Sequence, residues 1–252
     1  MWVLIDLGYF SFYRYHATKK WWGFKQEFDQ KSPWINESEF RNKLLEKYEE
    51  YLDKLIKNNN SFLAMDSMDG KNWRKTLYPE YKSQRPKNED IYEYLKYISN
   101  EFIPYYLDKN PNVIYSRREG TEADDLVANR VFDIQSTNKD EKICIIASDM
   151  DYLQLIEKNS NLCICDMNMK ILSDKELVGK QYLIKKIIYG DTSDNIKPVF
   201  RGRNCSNKKK ALLEKCKDIV NLDDITQEYF ENQEDYNTFC INRKLMELTP
   251  LS

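Results

Sequence analysis

Three short apolar runs in this chain each finish on a carboxylate: residues 2–6 on Asp6, residues 61–66 on Asp66 and residues 142–149 on Asp149. Runs this short and this rich in branched aliphatics read as buried strands. Amphipathic stretches lie between them. Residues 37–57 place Phe40, Leu44, Leu45, Tyr48, Leu52, Leu55 and Ile56 on a helical stripe, and residues 122–135 do the same with Leu126, Val127, Val131 and Ile134. Further strands are predicted at 112–116 and 162–166, a short helix at 151–156 and a long one at 174–189. Strands alternating with helices imply an α/β fold, a mostly parallel sheet with helices on both faces. In such a sheet the ligand site lies beyond the carboxyl ends of the strands. The strand-end acids are therefore expected on one edge.

Six more acids crowd the same region: Glu122, Asp124 and Asp125 at a helix start, Asp151 just after Asp149, and Asp191 with Asp194 in the 190–195 segment. Each group alone has an ordinary reading, as first-turn acids favoured by the helix dipole or as turn and N-cap residues. Three such coincidences at one sheet edge, joined by the strand-end acids, favour a site instead. Carboxylates gathered and partly buried repel one another unless a cation compensates. Hard divalent ions, Mg²⁺ with Mn²⁺ as a substitute, are the usual compensation for all-oxygen ligands. Nine acids are enough for two ions roughly 4 Å apart.

The chain has 252 residues and a formal net charge of −2. Setting the nine site acids apart leaves 32 acids against 39 Lys and Arg, so the remaining surface is basic. No apolar run approaches the roughly 20 residues of a membrane span, and the N-terminus carries no basic leader. An intracellular, reduced compartment is expected. The six cysteines form no C-x-x-C pair and read as reduced thiols rather than a disulfide framework or a zinc site. The single histidine, His16, argues against His-based catalysis and a His-rich zinc centre and is expected on the surface.

Two basic stretches flank the acids. Residues 71–87 hold six basic residues and one acid, with Trp73, Tyr78 and Tyr81 interleaved. Residues 197–217 hold eight basic residues against Glu214, including Lys208, Lys209 and Lys210 at an expected helix start. Positive charge there opposes the helix dipole, which favours a phosphate-binding role. Both stretches also have the plainer reading of a solvated face. Trp21, Trp22 and Trp34 in segment 19–34 are either a substrate-side loop or local packing.

These residues resemble the flap endonuclease / 5′–3′ exonuclease family, including the phage enzymes and the 5′-nuclease domain of bacterial DNA polymerase I. The likeness runs from residue 1 to about 217. Leu4-Ile5-Asp6 with Tyr13-Arg14 looks like the family's first motif, and residues 73–86 look like its arch segment. Glu122-Ala123-Asp124-Asp125, Ser148-Asp149-Met150-Asp151 and Gly190-Asp191-Thr192-Ser193-Asp194-Asn195 match its three acidic motifs in order and spacing.

The resemblance implies a PIN-like (resolvase-like) core over 1–190 with a helical arch at about 71–110. A helix-hairpin-helix-like helical module would fill 191–252. It implies a two-metal nuclease that cuts DNA phosphodiesters near single-strand/double-strand junctions. Asp6, Asp66, Glu122 and Asp124 would serve one ion and Asp149, Asp151, Asp191 and Asp194 the other, with Asp125 an extra acid of the bacterial and phage branch. Arg74, Lys82 and Arg85 would steer phosphate as catalytic residues. Arg14, Lys71, Lys75, Arg201, Arg203, Lys208, Lys209 and Lys210 would contact DNA. A monomer acting on 5′-flap or other branched DNA is expected, with RNA–DNA hybrid as a further substrate and no visible clamp or polymerase partner.

The chain departs from the family after Asn195. The family's glycine-rich hairpin, able to hold K⁺, is replaced by a longer segment that keeps only Gly202. A K⁺ site is not expected, and direct Lys/Arg contacts would take its place. Two other readings remain: a PIN-type ribonuclease or RNase H-like primer-removing enzyme, and a non-catalytic DNA-junction binder.

Overall fold

The computed structural model describes residues 1–24, 31–157, 160–174 and 177–251. The sheet begins with β1 (Trp2–Asp6), whose last residue caps α1 (Leu7–Trp22) by accepting the Tyr9 N–H at 3.0 Å. After α2 (Pro33–Asn36) and α3 (Ser38–Ile56) the chain returns as β2 (Asn60–Ala64). It then forms α4 (Trp73–Leu77), α5 (Glu89–Tyr97) and α6 (Ile103–Lys109) before β3 (Ile114–Ser116). A π-helical turn at Ile98–Phe102 joins α5 to α6 ahead of Pro104, whose missing N–H cannot continue regular α-helix bonding. Next come α7 (Ala123–Thr137), β4 (Ile143–Ile146), a 3₁₀ turn at Met150–Leu155 and β5 (Leu162–Cys165). The chain ends with α8 (Gly179–Tyr189), α9 (Cys205–Lys215) and α10 (Gln233–Met246).

The five strands lie in the order β3-β2-β1-β4-β5, and every pairing is parallel. Period-2 alternation divides the core. Val3, Ile5, Leu63, Met65, Cys144 and Ile146 face a layer built from α1, α3, α5 and α6, whereas Leu4, Phe62, Ala64, Ile143, Ile145 and Ile164 face α7 and the 3₁₀ turn. The fold class read from the sequence is the one observed. Trp22 and Trp34 are buried in the first layer, which settles those two as packing residues, while Trp21 is exposed and residues 25–30 lie outside the described ones. The long helix expected at 174–189 starts only at Gly179, and residues 175–176 are outside the described ones.

Two expectations about organisation change. The arch expected over 71–110 does not include α5 and α6. Tyr94, Ile98, Ile103 and Tyr106 are fully buried among α1 and α3 residues, and a helix with apolar groups at that spacing needs a covered face. Asp90 fastens the start of α5 by accepting the Ile35 N–H at 2.9 Å, the Trp34 N–H at 3.2 Å and the Tyr15 hydroxyl. Within 71–110 the longest continuously exposed run is residues 83–89, after α4 and Tyr81. The boundary expected at residue 190 also cuts through a single core. Leu183, Ile184, Ile187 and Ile188 of α8 pack with Leu212, Phe239, Leu245 and Met246 of the following helices, and with Tyr81. The last helices are thus built onto the sheet domain rather than hung from it.

Candidate nuclease site

The carboxyl edge of the sheet gathers the acids. Asp6 ends β1 and Asp66 follows β2 by two residues, accepting the Ala123 N–H of α7 at 2.8 Å. Glu122 is the N-cap of α7, with Asp124 in its first turn. Asp149 follows β4 and caps the 3₁₀ turn through the Asp151 N–H at 2.8 Å. Asp191 and Asp194 come from the turn after α8, where Gly190 sits at φ +74° and a Cβ would stand 2.5 Å from the Ile196 carbonyl. Only glycine fits this turn. Carboxylate oxygens of Asp151, Asp191 and Asp194 lie within 4.8 Å of one another.

The electrostatics show an undercompensated cluster. Burial, then the neighbouring Asp66, pushes the Asp6 pKa up to about 7. Burial and Asp149 push Asp151 up to about 6. Asp66 and Asp124 are also raised, burial being the main cause in each. Two acids go the other way. Burial of Glu122 is outweighed by Lys82 and Arg74, and burial of Asp191 by Lys186 and Ser193, which hold Asp191 down to about 2. Carboxylates whose ionised forms are disfavoured in this way fit a hard divalent cation, which would supply the missing positive charge. The eight acids Asp6, Asp66, Glu122, Asp124, Asp149, Asp151, Asp191 and Asp194 are the residues that could hold such ions.

Two of the cations expected at the phosphate stand among these acids. Lys82 donates to Glu122 and lies 3.9 Å from Asp194; Arg85 donates to Asp194 at 2.8 Å. Burial disfavours the Lys82 ammonium, but Glu122, Asp194 and Asp124 outweigh it and keep its pKa above the ordinary lysine value. Lys82 adopts φ +53°, a left-handed conformation that costs a non-glycine residue on the order of 1 kcal/mol. Its N–H is tied to the Asp194 carbonyl at 3.0 Å, and Asn195 Nδ2 bonds the Glu80 carbonyl at 2.9 Å. The 78–86 segment is thereby fastened to the 191–195 turn.

Three expected roles are corrected by burial. Arg74 is 1% exposed and binds both Asp125 oxygens at 2.7 Å, with further bonds to Glu122 at 2.9 Å and the Leu245 carbonyl at 2.8 Å. It is a structural cation under the site, not a phosphate-steering one. Asp125, with both oxygens taken by Arg74, is its counter-ion rather than a metal ligand. Arg14 is buried with its guanidinium 4.0 Å from the Tyr51 ring centroid, so it does not face DNA.

Of the other expected DNA contacts, Lys75, Arg201, Arg203 and Lys210 are exposed. Lys71 is also exposed and pairs with Glu119; Lys208 pairs with Glu231; and Lys209 lies 5.1 Å from the Tyr189 ring centroid. Helix α9 starts at Cys205, so the lysine triplet sits a turn inside it and its conflict with the dipole is milder than expected. His16 is exposed, its ring 4.4 Å from Phe12.

Four residues at the site were given no site role from the sequence. Lys186 of α8 lies 2.8 Å from Asp191 and also donates to Asp151. The Tyr81 hydroxyl bridges Glu122 at 2.8 Å and Asp194 at 3.1 Å, and the Tyr152 hydroxyl donates to Asp6 at 3.1 Å. A Cβ on Gly8 would stand 3.2 Å from Asp6 Oδ1 and 3.3 Å from Asp66 Oδ2. Tyr81 lies inside the quoted segment 73–86 and Gly8 adjoins Leu4-Ile5-Asp6, so both were within reach; nothing in the local sequence marks Lys186.

Residues 1–187 match the 5′-3′ exonuclease, N-terminal resolvase-like domain. The chain belongs to this family. A relative named 5′-3′ exonuclease from Mycoplasmopsis pulmonis is 35% identical over 156 residues, covering 58% of this chain and 49% of the relative. The chain thus spans about half the length of that relative. Among solved structures, the T5 D15 protein co-crystallised with metal ions aligns with a TM-score of 0.62 at 18% identity, over 99% of this chain and 89% of the other. The bacteriophage T5 D15 flap endonuclease, in a pseudo-enzyme–product complex with DNA and metal ions, aligns with a TM-score of 0.59 at 18% identity, over the same 99% and 89%. At that identity the structural likeness shows the resolvase-like fold shared across the family. No helix among the described residues is long and apolar enough to cross a membrane.

Proposed function

We propose that the chain is a structure-specific 5′ nuclease that hydrolyses DNA phosphodiesters near single-strand/double-strand junctions with two divalent cations, Mg²⁺ or Mn²⁺. The observation that carries this reading is the meeting of eight carboxylates, from both sides of β1, with Lys82 and Arg85 at the same edge. Family membership and the DNA and metal ions named for the T5 neighbour support it.

Bound cations would make water nucleophilic at neutral pH and stabilise the leaving oxygen. The residues of the chain do the positioning. Asp6, Asp66, Glu122 and Asp124 hold one side of the site; Asp149, Asp151, Asp191 and Asp194 hold the other. Tyr81 and Tyr152 fix carboxylate orientation by hydrogen bonds. Lys82 and Arg85 exchange their carboxylate partners for the scissile phosphate and hold it in line. No protein nucleophile is needed.

Lys75, Arg201, Arg203 and Lys210 supply exposed positive charge for the duplex backbone. RNA–DNA hybrid is a second candidate substrate, and the protein acts as a monomer. End-labelled 5′-flap DNA, RNA–DNA hybrid and single-stranded RNA, each with Mg²⁺ or EDTA, test the reading. Mg²⁺-dependent cleavage of the flap near its junction is expected; cleavage of single-stranded RNA alone, or binding without cleavage, would overturn it.

A further inference from the structure

Three of the six cysteines meet on one face of the sheet. Strands β4 and β5 pair in parallel with Cys144 opposite Cys163, and Cys165 lies two residues further along β5. Residues two apart on a strand point the same way. Cys144, Cys163 and Cys165 therefore share the face that packs toward the α1 layer, while Ile143, Ile145, Leu162 and Ile164 point to the other. The three sulfurs lie within 4.8 Å of one another, with Cys163 and Cys165 Sγ 4.0 Å apart, and all are free thiols.

That spacing is close to what a metal requires. Sulfurs bound to one ion at ~2.3 Å stand roughly 3.8 Å apart in tetrahedral and roughly 4.0 Å apart in trigonal geometry. Thiols in simple packing contact can also sit this close, but here three converge on one point and one of them opens it to solution. Cys144 and Cys165 are buried, whereas Cys163 is half-buried on β5, an end strand of the sheet. The set also differs from the acidic centre in kind: sulfur selects soft ions and carboxylate selects hard ones.

We infer that Cys144, Cys163 and Cys165 form a binding site for one thiophilic d¹⁰ cation, of the Zn²⁺, Cd²⁺ or Cu⁺ class, distinct from the carboxylate centre. The sequence hides it because the ligands come as Cys-x-Cys on one strand and a lone Cys on its neighbour, with no C-x-x-C spacing. Three thiolates suit a trigonal ion, or a tetrahedral one completed by a solvent ligand reached past Cys163. The Cys165 carbonyl accepts the Ala147 N–H at 3.1 Å, two residues before Asp149. Occupancy therefore clamps the strand pair that carries one of the site acids.

The test is a Cd²⁺ titration of the reduced, metal-free protein, read by thiolate-to-cadmium charge-transfer absorption, to which carboxylate ligands do not contribute. Saturation at one equivalent is expected. C163S and C165S should each weaken binding by at least about tenfold, while C205S and C240S leave it unchanged. A second measurement needs no variant: equimolar Zn²⁺ should slow alkylation of Cys163 by iodoacetamide at least about fivefold, read by peptide mass spectrometry. No band at one equivalent, a band that survives C163S and C165S or follows C240S, or an unchanged alkylation rate would overturn the assignment.

Discussion

The Lys186 ammonium lies 2.8 Å from Asp191 and also donates to Asp151, so a protein cation stands between two of the acids assigned to the second ion. In the absence of divalent metal it offsets their repulsion; in its presence it competes. K186M should therefore lower stability by about 3 kcal/mol in EDTA, the cost of leaving buried charges without a partner. Saturating Mg²⁺ should restore most of that loss through binding to the folded state. Urea melts of both proteins with and without Mg²⁺ check this; an equal loss in both conditions would mean that Lys186 does not share space with the ion.

Arg74 and Asp125 form the second buried pair, and its expected signature is the opposite. R74M should cost about 3–5 kcal/mol whether or not metal is present. D125N, by contrast with D149N, should leave the Mn²⁺ affinity measured by calorimetry within about threefold of wild type. A D125N protein that lost one of two bound ions would return Asp125 to the ligand set.

The raised acids fix the sign of the pH dependence. Asp6 and Asp151 hold folded pKa values of about 7 and 6 against the ordinary 3.8, so between these limits the folded state binds more protons than the unfolded one. Stability from these groups therefore falls as pH rises from about 4 through 7. Asp191, held down to about 2, contributes stability that is lost only as pH falls from about 4 through 2. In EDTA the Tm should drop between pH 5 and 8, and in saturating Mg²⁺ the drop should vanish as metal displaces the protons. A Tm that rises over this range in EDTA would contradict the picture.

Gly8 sets how closely Asp6 and Asp66 approach α1. G8A puts a methyl group 3.2–3.3 Å from both carboxylates and should displace them by a few tenths of an ångström. Cleavage should fall, by up to about 100-fold, since misplacement of positioned groups is costly, while the melting curve moves little. Single-turnover kinetics beside thermal melts would separate the two effects.

Lys82 and the exposed cations should divide by kinetic parameter. K82A should reduce kcat by about 10²–10³. Triple neutralisation of Arg201, Arg203 and Lys210 should raise KM and lower the slope of log K against log salt by up to about 3. An unchanged salt slope would remove α9 and its preceding loop from the DNA interface.

Much of this was legible in the chain because apolar runs report burial directly. All five strands were read near their observed places, and Asp6, Asp66 and Asp149 were rightly expected at one edge, since parallel strands must present their ends together. What could not be read was pairing at a distance. The family resemblance made Arg74 a phosphate-steering candidate, and its place in the Glu122–Asp125 cluster made Asp125 a ligand candidate; only the packing of α4 against α7 and α10 shows that they satisfy each other. The arch was overextended for a related reason. Its span of about 71–110 came from the resemblance, but Tyr94, Ile98 and Tyr106 need a covered face, and α1 and α3 provide it.

The bonds from Lys82 and Asn195 across to the 191–195 turn have one more implication. Asp191 and Asp194 lie beyond the family-matched residues 1–187, yet they complete the acidic edge and hold Lys82 and Arg85 in register. A chain clipped after Tyr189 would keep six of the eight acids but lose Asp191, Asp194 and the core partners of α8, so no assembled centre is expected. The proposed activity therefore depends on the residues that follow α8 as much as on the sheet that carries the other acids.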